Sequence, residues 1–190
     1  MLKLVKPTKE YEQEAKEYIA EFYQFNSKIH GVGSLDKYLK NSNYDEWLNY
    51  IKQMEIKEMP NLVRASTYFL VDEKNNQILG MSNIRHSLND FLYMFGGHIG
   101  YSIRPLERRK GYAKILLYLS LEVANSLGIE KVLITSDDDN FGSFKTIEAL
   151  GGVLENKIEE DDGTLVRRYF LDVHDSLEKN KEKYNVMIRR

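Results

Sequence analysis

Two hydrophobic periods alternate along the chain. Residues 2–6 (LKLVK) alternate apolar and polar positions up to Pro7, which predicts a short first strand. After Thr8 the apolar residues Tyr11, Ala15, Tyr18, Ile19, Phe22 and Phe25 recur at helical spacing, and Gly31-Val32-Gly33 breaks the run. Trp47, Ile51 and Met54 continue helical spacing across 44–59, which Pro60 stops. The period then drops to two. VRASTYFLVD (63–72) and ILGMSNIRH (78–86) read as an antiparallel hairpin turning at Glu73 to Asn76. Gly80, inside the second of these strands, predicts a bulge or a close backbone approach.

SLNDFLYMFGG (87–97) reads as a loop with a helical turn, and Ile99–Ile103 as a strand that Pro105 ends. Residues 111–127 are apolar on most sides, as expected of a helix packed on a sheet, with Gly128 as its C-terminal glycine. KVLITS (131–136) is a short uninterrupted strand and so a central one. A helix follows Asp137-Asp138-Asp139-Asn140 and closes at Gly151-Gly152. VLENKIEE (153–160) and TLVRRYFLDV (164–173) pair across Asp161-Asp162-Gly163, a strong hairpin signal. The last fifteen or so residues are mostly polar and end basic; a frayed tail, a small helix and an edge element all fit them. The order β-α-α-β-β-β-α-β-α-β-β predicts one mixed α/β domain over 1–190, with a core of about 2–172 and a C-terminal tail of 173–190. Its central sheet should hold about seven mostly antiparallel strands flanked by helices.

Composition narrows the chemistry. The 190 residues suit one domain, and 42% hydrophobic with 29% charged residues is ordinary for a globular chain. A net charge of −2 supplies no general drive toward nucleic acid or anionic membrane. With no cysteine, disulfides, thiol catalysis and Cys-ligated zinc are excluded. The first residues lack the apolar core of a signal peptide, and no apolar run approaches the ~20 residues of a spanning helix, so a cytoplasmic protein, monomer or homodimer, is expected. His30, His86, His98 and His174 are scattered at no metal-ligand spacing. Asp137-x-Asp139-x-Phe141-Gly142-x5-Glu148 nearly spells a calcium loop, but Phe141 occupies a ligand position and a strand precedes it. No metal is expected.

The chemistry-bearing stretch is Arg108-Arg109-Lys110-Gly111-Tyr112-Ala113, between the strand ending at Ile103 and the apolar helix. The first N–H groups of a helix lack intrahelical partners, and the macrodipole makes that end partly positive. Gly111 lets backbone approach an anion without a Cβ in the way, Ala113 keeps the next turn close, and three basic side chains add charge. Arg108-x-x-Gly111-x-Ala113 resembles the Q/R-x-x-G-x-G/A signature of the GNAT (Gcn5-related) acyl-CoA N-acetyltransferases, and GGHIGYSIRPLERRKGYA as a whole looks like a bacterial subgroup of them. The resemblance covers roughly Leu2 to Asp172. It implies a GNAT-like fold, acetyl-CoA as cosubstrate, its pyrophosphate at 108–113, its pantetheine arm paired along Ile103, and direct attack by a primary amine of a small molecule or peptide.

Asn140-x-x-Ser143 resembles the second motif of that family, which implies contact with the pantetheine arm or the acyl group; read locally, Asp139 or Asn140 caps a helix. One departure stands out. Many members carry a tyrosine seven residues after this Asn, as acid for the departing thiolate, and here the position is Ile147. Thiols ionise near pKa ~8.5, so the thiolate is expected to leave without a dedicated acid. His98, in GGHIGY, is the candidate general base, with a core histidine satisfied by a carbonyl as the other reading. The N-terminal aromatics are expected in the core, although in this family that helical region covers the acceptor. Ile147 also keeps open a catalytically inactive CoA-binding regulatory module. An RNA-binding patch on the basic loop finds poor support in one short cluster.

Overall fold

The computed structural model describes residues 1–188 except 42 and 58. In chain order come β1 (Leu2–Val5), a 3-10 turn (Lys9–Tyr11), α1 (Glu12–Gln24), α2 (Leu35–Leu39) and α3 (Tyr44–Ile56). Next are β2 (Ala65–Asp72), β3 (Gln77–Arg85), a π turn (Leu92–Gly96), β4 (Ile99–Ile103), a second 3-10 turn (Pro105–Glu107) and α4 (Tyr112–Ser126). The chain finishes with β5 (Lys131–Asp137), α5 (Phe141–Ala149), β6 (Val153–Glu159), β7 (Leu165–Asp172) and α6 (Val173–Asn185). The helix expected to run to residue 59 stops at Ile56, and Glu58 lies outside the described residues.

Every pairing between named strands is antiparallel, in a four-stranded sheet β1-β2-β3-β4 and a three-stranded sheet β5-β7-β6. β4 and β5 lie side by side, yet no ladder joins them. Two bonds close one end: His98 N–H donates to the Leu133 carbonyl at 2.7 Å, and Leu133 N–H donates to His98 Nδ1 at 3.0 Å. Past this pin the strands part, and a cavity opens that residues of both strands line. The sheet is therefore divided where the site lies.

Each face carries its own core. Ile115, Leu116, Leu117 and Leu121 of α4 pack with Ile84, Ile99, Ile134 and Tyr169 on one side. On the other, Tyr18, Ile19 and Phe22 of α1 and Trp47 and Ile51 of α3 pack on Phe69, Val71 and Met81. Gly80 does both things expected of it. The β2–β3 register slips between Leu70 and Val71, opposite it, and a Cβ there would lie 2.7 Å from Ile103 Cδ1 and 2.9 Å from Leu116 Cδ2. The glycine lets α4 seat on the sheet.

The C-terminal stretch is no tail. Asp172 caps α6 by accepting from Asp175 N–H at 2.8 Å, Tyr184 packs its ring on Tyr118 of α4 at 5.1 Å, and Ile188 bridges to Leu2. Its mostly polar sequence hid a narrow apolar stripe of Val173, Leu177, Tyr184 and Ile188, enough to fasten one face. Arg189 and Arg190, the basic end, lie outside the described residues.

Candidate active site

The cavity between β4 and β5 measures about 1120 Å³. Its walls follow from strand register. Arg85 N–H donates to the His98 carbonyl and Arg104 N–H to the Leu79 carbonyl, so Gly100, Ser102 and Arg104 spend their backbone groups on β3, as does the carbonyl of His98. Alternation then turns the N–H and C=O of Ile99, Tyr101 and Ile103 toward the gap. By the same count Leu133, Thr135 and Asp137 of β5 face it from the other side. Two open strand edges thus flank the cavity, a template for an extended amide-bearing molecule.

The gap opens onto the N-terminus of α4. Arg104, buried and paired with Glu21 (Nε to Oε2, 2.7 Å) and Glu14, fastens the end of β4 to α1. Glu21 also accepts the Leu106 N–H at 2.7 Å and so fixes the turn before the loop. Arg109 (φ 65°) and Gly111 (φ 89°) both take left-handed backbone, winding the chain tightly into the helix. Gly111 is the N-cap, no side chain caps the first turn, and a Cβ added at Gly111 would meet no protein atom within 4 Å. This end of α4 presents bare N–H groups to open space in the cavity, which suits an anion.

Ile103, Arg108, Arg109, Gly111, Tyr112, Ala113, Asn140 and Ser143 all line the cavity. Lys110 is not among the lining residues; its ammonium holds Glu107 at 2.8 Å. Arg108 turns its side chain onto the protein, with Nε donating to the Ile103 carbonyl at 3.1 Å, Nη2 to Ser27 Oγ at 2.7 Å, and the guanidinium over the Phe22 ring. In this conformation it braces the loop against β4 and α1. Asn140 caps α5, its Oδ1 accepting from Ser143 N–H at 3.1 Å. Ile147, one turn further, is fully buried in the core beneath Gly152.

Three residues escaped the sequence reading. Tyr101 of β4 lines the cavity and brings its hydroxyl to the first turn of α5, 3.2 Å from Ser143 Oγ; burial pushes it up to about 12. His30, on the α1–α2 connection, faces the cavity because Gly31 lies directly on Gly100, where any Cβ would strike the Gly100 carbonyl at 2.3 Å. Desolvation holds its imidazole below the usual 6.5, against the pull of Asp137 and with the push of Lys28 and Arg85. Arg85, at the end of β3, also lines the cavity. The available signals were a tyrosine beside a glycine in a gap-side strand and an arginine closing an apolar one. His98 takes a different post: it is not a lining residue, and its Nδ1 is committed to the Leu133 N–H at the closed end. The buried N-terminal aromatics stay in the core, and Ser27, Lys28, His30 and Gly31 form that side of the cavity instead.

Among the described residues no helix is long and apolar enough to cross a membrane. The Acetyltransferase (GNAT) domain family matches residues 12–153, and no curated protein sequence matches the chain significantly. Solved structures share the fold at low identity. A mutant form of the spermidine/spermine N-acetyltransferase SpeG from Vibrio cholerae is 14% identical with a TM-score of 0.63, covering 94% of this chain and 99% of its own. Ribosomal-protein-S5-alanine acetyltransferase from Vibrio fischeri is 16% identical with a TM-score of 0.66, covering 90% and 93%. YncA, a putative acetyltransferase from Salmonella typhimurium solved with its cofactor acetyl-CoA, is 12% identical with a TM-score of 0.60, covering 90% and 94%. A domain match over most of the chain, on a sheet divided beside a bare helix end, places the protein in a family of acyl-CoA N-acyltransferases: it belongs to the GNAT acetyltransferases.

Proposed function

We propose that this protein transfers the acetyl group of acetyl-CoA to a primary amine of a small molecule or peptide by direct attack. The observation that carries this reading is the unpaired gap between β4 and β5 running into the uncapped, glycine-started N-terminus of α4. Acetyl-CoA supplies an acyl group activated as a thioester. The N–H groups of the loop and first turn, Arg109 to Ala113, hold its pyrophosphate, with Arg108 keeping the loop in place from behind. The gap-side edge of β4 pairs with its amide-bearing arm, and an N–H there polarises the thioester oxygen. Asn140, whose Oδ1 is spent on the cap, keeps its amide donors for the same arm. His30 is held neutral near pH 7 by burial and takes the proton of the attacking amine. Tyr101, held protonated, gives a proton to the departing thiolate, in place of the unaided departure that Ile147 led the sequence to suggest.

The test is amine-dependent thiol release from acetyl-CoA over a broad panel of amines. Release with at least one class is expected. Binding of acetyl-CoA without release across the whole panel would make the protein a CoA-binding module, the reading that the buried Ile147 favours.

A further inference from the structure

The acceptor end of the cavity contains a cation whose partners do not match its setting. The other arginines held within the fold are neutralised: Arg104 by Glu21 and Glu14, Arg167 by Asp138, Arg168 by Glu155. Arg85 is enclosed enough that desolvation lowers its pKa to about 10, yet among the described residues it faces no carboxylate. Its recorded hydrogen bonds are two long ones from Nη1, to the carbonyls of Gly96 at 3.2 Å and Gly97 at 3.3 Å. Among the described residues Nε and Nη2 carry none. Arg85 lines the cavity with one edge of its guanidinium turned to no protein acceptor among the described residues, an edge placed to receive an anion that enters the cavity.

Position says which anion. Arg85 touches Gly100, near the pinned end of the gap, where a Cβ would sit 3.2 Å from Nη1 and 3.3 Å from Nη2. The helix end that suits a pyrophosphate lies beyond Ile103, at the far end of β4. The strand between is on the order of 10–13 Å long. One cofactor phosphate group cannot serve both. Arg85 shares its neighbourhood with His30 and with the rim pair Lys28–Asp137, 2.6 Å apart, while Asp139 lines the same cavity. Asp139, at the rim, favours an ammonium, Asp137 being held by Lys28; the guanidinium behind them favours a planar anion bound by two parallel bonds.

We infer that the acceptor is an amine that also bears a carboxylate, a free amino acid or close analogue, seated by Arg85 with its amino group toward His30. This rests on the acetyltransferase reading above and names its substrate class. Polyamines, which the Vibrio cholerae neighbour's name gives as its substrates, lack the group Arg85 would hold and should be poor acceptors here.

The test measures binding of product-like probes, so it needs no turnover. N-acetylated derivatives of the twenty common amino acids, and the primary amide of each, are titrated into the CoA-saturated protein by calorimetry, in wild type and Arg85→Gln. At least one N-acetyl amino acid should bind roughly ten- to a hundredfold tighter than its amide, and Arg85→Gln should erase that preference while CoA affinity holds within about twofold. The inference is overturned if no acid binds, if acids and amides bind alike, or if the preference survives the substitution. It is equally overturned if Arg85→Gln weakens CoA itself, since Arg85 would then serve the cofactor. Absence of CoA binding in wild type would remove the acetyltransferase reading along with it, so the two failures are distinguishable.

Discussion

Tyr101 owes its chemistry to its neighbours. Its hydroxyl meets Ser143 at the start of α5, and burial keeps it protonated up to about pH 12. Tyr101→Phe removes one oxygen and is expected to lower kcat about a hundredfold, the low end for a general acid because a thiolate leaves fairly well. CoA affinity, read by calorimetry, should not change. No falling limb belongs in the pH–rate profile below about pH 12, so the kinetics cannot separate a buried tyrosine from an absent acid, and the substitution must. His30 sets the other limb. Its pKa lies below 6.5 because desolvation outweighs Asp137, with Lys28 and Arg85 adding repulsion. A base works when neutral, so kcat/KM should fall as pH drops through that value and level off above pH 6.5. In His30→Gln the rise should move to alkaline pH, where the amine loses its own proton; a wild-type midpoint above pH 8 would sink His30 as base. Arg108, Gly111 and Asn140 were legible in the sequence because local chemistry places them: a loop glycine, a helix start, a cap. Tyr101, His30 and Arg85 were not, because only the contact of Gly31 on Gly100 and the parting of two strands assemble them.

At the scale of elements, β4 matters most and is short. One edge pairs with β3, the other is left open, His98 pins its start to β5, and Arg104 and Arg108 tie its end to α1. A histidine among glycines reads as a candidate base, but the same glycines let it tuck into a backbone bond. Gly97, at φ 64°, leaves no room for a Cβ, which would lie 2.6 Å from the Leu133 carbonyl. α6 was the element least visible in the sequence, because its charged residues outnumber the few that pack. Among the described residues the Tyr184 hydroxyl is buried without a hydrogen-bond partner, while its ring packs on Tyr118. Tyr184→Phe should therefore raise stability by about 1 kcal/mol, a gain of roughly 2–4 °C in melting temperature. Tyr184→Ala should cost about 3–5 kcal/mol through the lost ring. Thermal denaturation of the two variants checks both, and a stabilising alanine would mean that α6 does not belong to the core.

For the whole molecule, the order of strands and helices was readable because each period change falls at a glycine, a proline or an Asp-rich turn. The division of the seven strands into sheets of four and three was not, since nothing in KVLITS or HIGYSI says that they lie adjacent without pairing. That division is what converts a layered α/β domain into one with a slot through its centre. The core under α4 and α6 takes residues from both sheets and holds them together without a β4–β5 ladder, while the core under α1 and α3 covers the four-stranded sheet alone. The central claim is that this slot holds coenzyme A with its pyrophosphate on the bare end of α4. Calorimetric titration of CoA into wild type and Gly111→Val tests it most directly, with circular dichroism confirming that the variant folds. A branched side chain at φ 89° strains the backbone and fills the space the anion needs. The wild type should bind one CoA per chain, and the folded variant should lose that binding. Equal affinity in the two, or no binding of CoA by the wild type, would contradict the account.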